Sequence, residues 1–260
     1  MKQQVALITG ASSGIGLELA MLFAQDKINL VLVARNRERL DGLATELRDK
    51  FNITVSVIPQ DLAQPAAPEA IGRELKKQGL VVDFLVNNAG TQVYGPIQET
   101  DVSRQLALIQ VNLTALTHLT MRLLPDMLQR GSGRILNVAS TGGFAPAPLN
   151  AVYCATKAYV LNFSEAIARD LERTGVSVTC LCPGATRTDF IHRAGIENVR
   201  LFRASMMDAR QVAQAGYTGM MRGKTTVIPG LLNKLLVFSI RFTPRRWVTR
   251  LGMYLMGRAK

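Results

Sequence analysis

Tyr153 and Lys157 stand four residues apart, and Ser140 precedes them where an apolar run opens into Thr141-Gly142-Gly143. On a helix, positions i and i+4 share a face with side chains about 5–6 Å apart, so an ammonium can sit beside a phenol. A phenol of ordinary pKa about 10 is a weak acid-base at neutral pH, and a cation held close favours phenolate. The spacing therefore predicts a tyrosine tuned for proton transfer by its lysine. Ser140 adds a hydroxyl donor, the kind of group that acts where negative charge develops on a carbonyl oxygen as hydride arrives. Tyr and Lys at this spacing also describe an ordinary solvated helix face, so the chemistry depends on what the rest of the chain places around them.

Short apolar runs alternate with longer amphipathic stretches. Val5–Thr9, Asn29–Ala34, Thr54–Ile58, Phe84–Asn87, Arg134–Ala139 and Val176–Leu181 read as strands rich in Val, Ile and Leu, as strands buried on both faces are. Residues 15–26, 37–50, 66–79, 102–130 and 151–173 read as helices. Strand and helix in alternation predict an α/β fold, a doubly wound parallel sheet in which ligands lie beyond the carboxyl ends of the strands. Each segment with chemical character follows a strand: Gly10–Gly16, Arg35 and Asn36, Asp61, Asn87–Gly90, Ser140–Gly143 and Pro183–Thr188.

Thr9-Gly10-Ala11-Ser12-Ser13-Gly14-Ile15-Gly16 joins the first strand to the first helix. Glycines there permit positive φ and let a pyrophosphate approach the backbone, and the helix N-terminus supplies amide donors and partial positive charge. Gly10, Ser12, Ser13, Gly14, Ile15 and Gly16 are the expected dinucleotide contacts. The same stretch contains Gly10-Ala11-Ser12-Ser13-Gly14, formally the G-x-S-x-G elbow of a serine hydrolase, with His192 as its base. An elbow on the first strand leaves no preceding loop for a second oxyanion donor, which weighs against that reading. At the end of the second strand an acid would bind a ribose 2′-hydroxyl, whereas an arginine suits a 2′-phosphate. Here stands Arg35, followed by Asn36 and Arg37, with no acid before Glu38, which favours NADP(H).

Thr9–Gly16, Asn87-Asn88-Ala89-Gly90, Asn112, Ser140, Tyr153 to Lys157 and Pro183-Gly184 together resemble the single-domain short-chain dehydrogenase/reductase family over about residues 4–190. The resemblance implies a Rossmann fold in which Tyr153 is the acid-base and Ser140 hydrogen-bonds the substrate oxygen. Lys157 would hold the nicotinamide ribose and lower the tyrosine pKa, and Asn112 would hold a water that links Lys157 to solvent. It further implies that Asp61 and Leu62 contact adenine, that Asn88, Ala89 and Gly90 wall the adenosine ribose, and that Pro183, Gly184, Thr186 and Thr188 meet the nicotinamide and phosphate end. In this family residues 189–207 would form a mobile lid, and dimers or tetramers are the expected assembly. Phe190, Ile191, Ile196, Leu201, Phe202, Met206 and Met207 make that segment apolar and suggest a lipophilic carbonyl substrate, a ketone or 3-oxoacyl compound. The different-class alternative is a nucleotide-binding sensor without chemistry.

The chain has 260 residues and a net charge of +12. Residues 1–230 read as one nucleotide-binding and catalytic domain and 231–260 as a basic amphipathic helical extension. After Asp208 there is no acidic residue and ten Lys and Arg follow. From Pro244, Trp247, Val248, Leu251, Tyr254 and Leu255 are expected on one face, with Arg245, Arg246 and Arg250 away from it. Such a tail can cover a pocket, pack on a subunit or lie on a membrane surface. Charge alone is compatible with nucleic acid, but no recognition motif accompanies it, so none is expected as a partner. The N-terminal residues lack the layout of a secretory signal, and three cysteines, two of them one residue apart, fit a reducing compartment, so the expected location is cytoplasmic. With two histidines and no ligand-spaced cluster, no metal site is expected.

Overall fold

The structure is a computed structural model in which residues 4–201 and 206–258 are described. Strands β1 (Val5–Thr9), β2 (Asn29–Ala34), β3 (Val55–Pro59), β4 (Phe84–Asn87), β5 (Gly133–Val138) and β6 (Val176–Leu181) pair in parallel in the order β3-β2-β1-β4-β5-β6. Neighbouring registers run Val5 against Asn29, Ala6 against Phe84 and Phe84 against Arg134. On β1, Ala6 and Ile8 enter the core on one side of the sheet with Leu30 and Leu32, while Leu7 enters the other with Val31 and Val33. The period-two alternation thus buries apolar side chains on both faces, which is why these strands read as unbroken apolar runs.

Helices α1 (Gly14–Gln25) and α2 (Arg37–Phe51) cover one face, burying Leu19, Phe23, Leu40 and Leu47. Helix α3 (Ala67–Lys77) covers the other with Ile71 and Leu75. From β1 the chain winds outward through β2 and β3, then returns to the far side of β1 for β4, β5 and β6. The winding reverses between β1 and β4, so the crevice at their carboxyl ends is the place a ligand would lie.

The long helix expected over 102–130 is continuous but not uniform. It comprises α4 (Val102–Ile109), a π-helical turn at Gln110–Ala115 and α5 (Leu116–Gln129). A π turn inserts one residue into the helical ladder and re-aims a side chain. Here it buries Asn112. Helix α6 (Ala151–Asp170) is shorter than the sequence pattern, because the chain turns with positive φ at Arg173 and Gly175 before entering β6. Cys180 and Cys182, on and just past β6, are buried and free, with sulfurs 3.6 Å apart.

Beyond β6 lie β7 (Thr186–Arg187), α7 (Asp189–Ala194), β8 (Met207–Asp208) and α8 (Ala209–Met221). A short β9 (Thr226–Val227), which the sequence pattern did not reveal, adds a seventh parallel strand beside β6. Tyr217 of α8 packs edge-on against Phe23 at 4.8 Å and hydrogen-bonds Asp26, closing the first face of the sheet. Two further helices, α9 (Leu231–Ile240) and α10 (Arg245–Met256), end the described chain, and Pro244 caps α10 instead of sitting in its first turn.

Candidate active site

The floor of the crevice begins with a backbone cradle. Gly10 and Gly14 have φ of +66° and +57°, and Gly10 N donates to Val33 O at 2.8 Å, turning the chain sharply out of β1. A Cβ on Gly16 would lie 2.3 Å from Gly10 O and 2.4 Å from Asn88 Nδ2, so no side chain fits there. Asn88 Nδ2 donates to Thr9 O at 2.9 Å, and the amides of Asn88 and Ala89 both donate to Thr9 Oγ1 at 3.0 Å. Thr9 and Asn88 therefore lock the glycine turn to the end of β4. Ser13, the N-cap of α1, makes no side-chain cap bond, and Ser13, Gly14 and Ile15 line the cleft. An uncapped helix start lined by glycine has the donor chemistry that a pyrophosphate needs, so these residues fit a dinucleotide.

The catalytic candidates converge beside this cradle. Ser140 lies two residues past β5, and its Oγ accepts from Gly142 N at 3.0 Å while donating to Pro183 O at 3.4 Å. The second bond is long, which leaves the hydroxyl able to turn to a better acceptor. Tyr153 and Lys157 lie one turn apart on α6, both lining the cleft. Lys157 Nζ donates to Val138 O at 2.8 Å and stands 5.7 Å from the centre of the Tyr153 ring. Asn112 lies behind the cleft wall: a Cβ on Gly90 would meet Asn112 Oδ1 at 3.5 Å and Lys157 Nζ at 3.6 Å. Its amide accepts from Thr91 N at 2.9 Å and donates to Thr91 O at 3.0 Å and Thr156 Oγ1 at 3.2 Å. The π turn thus ties the Thr91 loop to α6 directly behind the reactive pair.

Burial governs the protonation of this pair. The Tyr153 phenol is pushed above its ordinary range by desolvation, opposed by the Ser140 hydroxyl, which favours the ionised form. Lys157 is not among the groups that shift this phenol, and its Nζ is bound to a backbone carbonyl. Desolvation brings Lys157 itself down to about 8. The Cys154 thiol is raised to about 11, again by burial, and stays protonated at neutral pH.

One cavity of about 310 Å³ joins the cradle to these side chains. Gly10, Ser13, Gly14, Ile15, Asn88, Ala89, Gly90, Tyr153, Lys157, Pro183, Gly184, Thr186 and Thr188, all candidates from the sequence, line it. Ser12, Gly16, Arg35, Asp61 and Leu62 do not line that cavity. Arg35 is exposed just past β2, and Gln60 N donates to Ala34 O at 3.0 Å, which brings the start of the Asp61 loop beside it. Leu62 is buried in the core, so only its backbone is free to face a ligand. The Thr186 hydroxyl donates to Gly184 O at 3.0 Å, and Thr188 packs against Gly14.

The residues of the expected lid, 189–207, separate in the fold. Phe190 packs on Tyr153 at 6.1 Å between ring centres and, with Ile191 and Leu201, lines the cleft. Ile196 and Val199 turn inward and form a small core with Ile191 and Met256 of α10. Met206 joins that cluster, Met207 packs on the main core, and Phe202 lies outside the described residues. The tail also differs from its one-face reading: Val248, Leu251 and Leu255 line the cleft, while Trp247 and Tyr254 face outward. Gln92 and Asn150 are polar cleft residues that escaped the sequence reading. Gln92 Nε2 and Asn150 Oδ1 are buried without a hydrogen-bond partner among the described residues. Asn150 precedes Tyr153 by one helical turn, which is the signal that marks it.

The serine-hydrolase alternative fails on this geometry. His192 Nδ1 pairs with Glu197 Oε1 at 2.8 Å on an exposed helix, and neither His192 nor Ser12 lines the cleft.

Comparison with known proteins agrees with this assembly. The chain is 36% identical to a short-chain dehydrogenase from Sphingobium yanoikuyae solved in complex with NADPH, with a TM-score of 0.83 over 92% of this chain and 94% of that one. It is 32% identical to a bulky-bulky ketone specific alcohol dehydrogenase from Comamonas testosteroni, with a TM-score of 0.79 over 93% of each chain. A very-long-chain 3-oxoacyl-CoA reductase from Phaeosphaeria nodorum is 38% identical over 180 residues, 68% of this chain and 53% of that protein. The family profile described as short chain dehydrogenase matches residues 4–199. With its seven-stranded Rossmann sheet, glycine cradle and clustered Ser140, Tyr153 and Lys157, the chain belongs to the short chain dehydrogenase family of oxidoreductases.

Proposed function

We propose that this protein is an NADP(H)-dependent reductase that converts a lipophilic ketone or 3-oxoacyl carbonyl to its alcohol. The observation that carries the reading is the single cleft in which Ser140, Tyr153 and Lys157 share a floor with the glycine cradle beneath largely apolar walls. Arg35, exposed at the end of β2 with no acid beside it, supports a 2′-phosphate and hence NADP(H). The NADPH complex, the bulky-ketone dehydrogenase and the 3-oxoacyl-CoA reductase among its relatives support the cofactor and the substrate class.

In this mechanism a bound nicotinamide dinucleotide supplies hydride to the carbonyl carbon. The chain's own residues handle the oxygen. Ser140 and Tyr153 donate hydrogen bonds to it, orienting the carbonyl and stabilising the negative charge that grows there. Because burial keeps the Tyr153 phenol protonated, Tyr153 holds the proton to be delivered as the alkoxide forms. Lys157, with a pKa of about 8, titrates close to neutrality and is suited to restore that proton. Asn112 and the Val138 carbonyl hold the lysine's surroundings in place. Phe190, packed on Tyr153, and the apolar walls exclude water from the reacting oxygen.

A panel of bulky ketones and 3-oxoacyl thioesters, read by NADPH and NADH oxidation, tests the proposal. Turnover of at least one lipophilic carbonyl with NADPH preferred is the expected result. Cofactor binding with no turnover across the panel favours a sensor and rejects the proposal.

A further inference from the structure

α9, α10 and the turn between them carry large apolar side chains that stay largely exposed, although Arg200 lies 4.5 Å from the centre of the Tyr254 ring. Leu232 and Phe242 are each 74% exposed, Tyr254 61%, Phe238 58% and Trp247 52%. Monomeric proteins rarely gather so many exposed apolar groups in one place without an occupant. Phe238 and Phe242 contact each other at 5.1 Å between ring centres, and the Arg250 guanidinium lies 5.2 Å from the Trp247 ring. Phe238 and Phe242 thus form one aromatic pair at the end of α9, and Trp247 on α10 has a cation beside its ring.

Charge identifies the occupant. Lys234, Arg241, Arg245, Arg246 and Arg250 flank these side chains, and the chain holds no acidic residue after Asp208. Among the described residues no carboxylate pairs with any of the five. A second copy of the same face would set cation against cation. Anionic headgroups would neutralise the cations while the aromatic and leucine side chains enter the acyl boundary. The helices have 10 and 12 residues, and no helix among the described residues is long and apolar enough to cross a membrane, so they suit lying along the surface.

The inner sides of the same two helices face the cleft. Leu236, Ile240, Val248, Leu251 and Leu255 line it, and Leu236 and Leu251 are also exposed, at 40% and 53%, which makes them its rim. We propose that the outer face of α9 and α10 docks on an anionic bilayer and turns the apolar rim of the cleft toward the lipid. The docking stands apart from the reaction, so an inactive protein that binds vesicles would count against the proposed function alone.

Trp247 is the only tryptophan in the chain and reports on its own surroundings. The full-length protein is mixed at low salt with vesicles of phosphatidylcholine alone or of phosphatidylcholine with phosphatidylglycerol. With the anionic vesicles, Trp247 emission is expected to shift to the blue and to be quenched by acyl-brominated lipid, and molar salt should reverse both. The double variant Arg245→Glu/Arg246→Glu should bind these vesicles at least about tenfold more weakly. Carboxylates suit the first turn of α10, so that loss would not arise from unfolding. Leu232→Glu/Phe242→Glu, which changes no cleft residue, should also lose vesicle binding while NADPH binding persists. Unchanged emission with anionic vesicles, or equal shifts with neutral ones, overturns the proposal. So does a blue, concentration-dependent emission without lipid, which would mean that a second copy covers the face.

Discussion

Lys157 Nζ hydrogen-bonds the Val138 carbonyl at 2.8 Å while standing 5.7 Å from the centre of the Tyr153 ring. The cation is thus fixed by the end of β5 and stands over the aromatic ring. Without ligand, burial dominates both groups: the tyrosine keeps its proton more firmly and the lysine holds its own less firmly. In the proposed mechanism the pair acts as donor and restorer of one proton, a distribution that neither residue's ordinary pKa would give.

Replacing Tyr153 by Phe removes the proton and little else, since the ring contact with Phe190 remains. The expected loss in kcat is about 10²-fold to 10⁴-fold, with NADPH affinity nearly unchanged. Steady-state kinetics and a fluorescence titration of NADPH check it, and a variant with wild-type kcat would remove Tyr153 from the chemistry.

Strands β1, β2 and β4 were legible because both faces are buried, so apolar residues run together between turns. β3, at the sheet edge, is only partly buried and was read from its alternating Val55, Val57 and neighbouring Ile58. β9 was not, because two residues carry no periodicity. The π turn has no compositional signature, yet it is what buries Asn112 behind Lys157. In α10 the apolar stripe was visible, but its division into a cleft side and an outward side was not. A helix that is apolar around much of its circumference does not say which arc meets protein. Gln92 is marked only by a missing partner, a property of the packed chain, whereas Asn150 could have been found from its place one helical turn before Tyr153.

Arg35→Ala should weaken NADPH by about 10-fold to 100-fold, the worth of charge-assisted contacts to a phosphate, and leave NADH within a few-fold. Equal losses for both cofactors, measured by KM and by direct binding, would refute a 2′-phosphate contact.

Lys157 sets a pH signature in stability. Its pKa falls from 10.5 to about 8 on burial, so between these values the unfolded chain binds more protons than the folded one. Unfolding free energy from this residue must therefore rise with pH across that window and be flat below it. Lys157→Met lacks the titration. The stability of the wild type relative to Lys157→Met is expected to increase from pH 7.5 to 10 in thermal or urea unfolding, whereas a decrease would contradict the desolvated lysine.

Gly16→Ala tests the cradle. The added methyl would meet Gly10 O at 2.3 Å and Asn88 Nδ2 at 2.4 Å, contacts that force α1 away from β1. Overpacking of this kind destabilises by roughly 1–3 kcal/mol, and dinucleotide binding should be lost with it. Calorimetry beside a cofactor titration separates the two effects.

Ile191, Ile196 and Val199 share one small core with Met256, and Val199 bridges Arg258 across an antiparallel pair. The two walls above the cleft are consequently latched to each other. A displacement of either wall therefore has to carry the other with it or open this small apolar cluster.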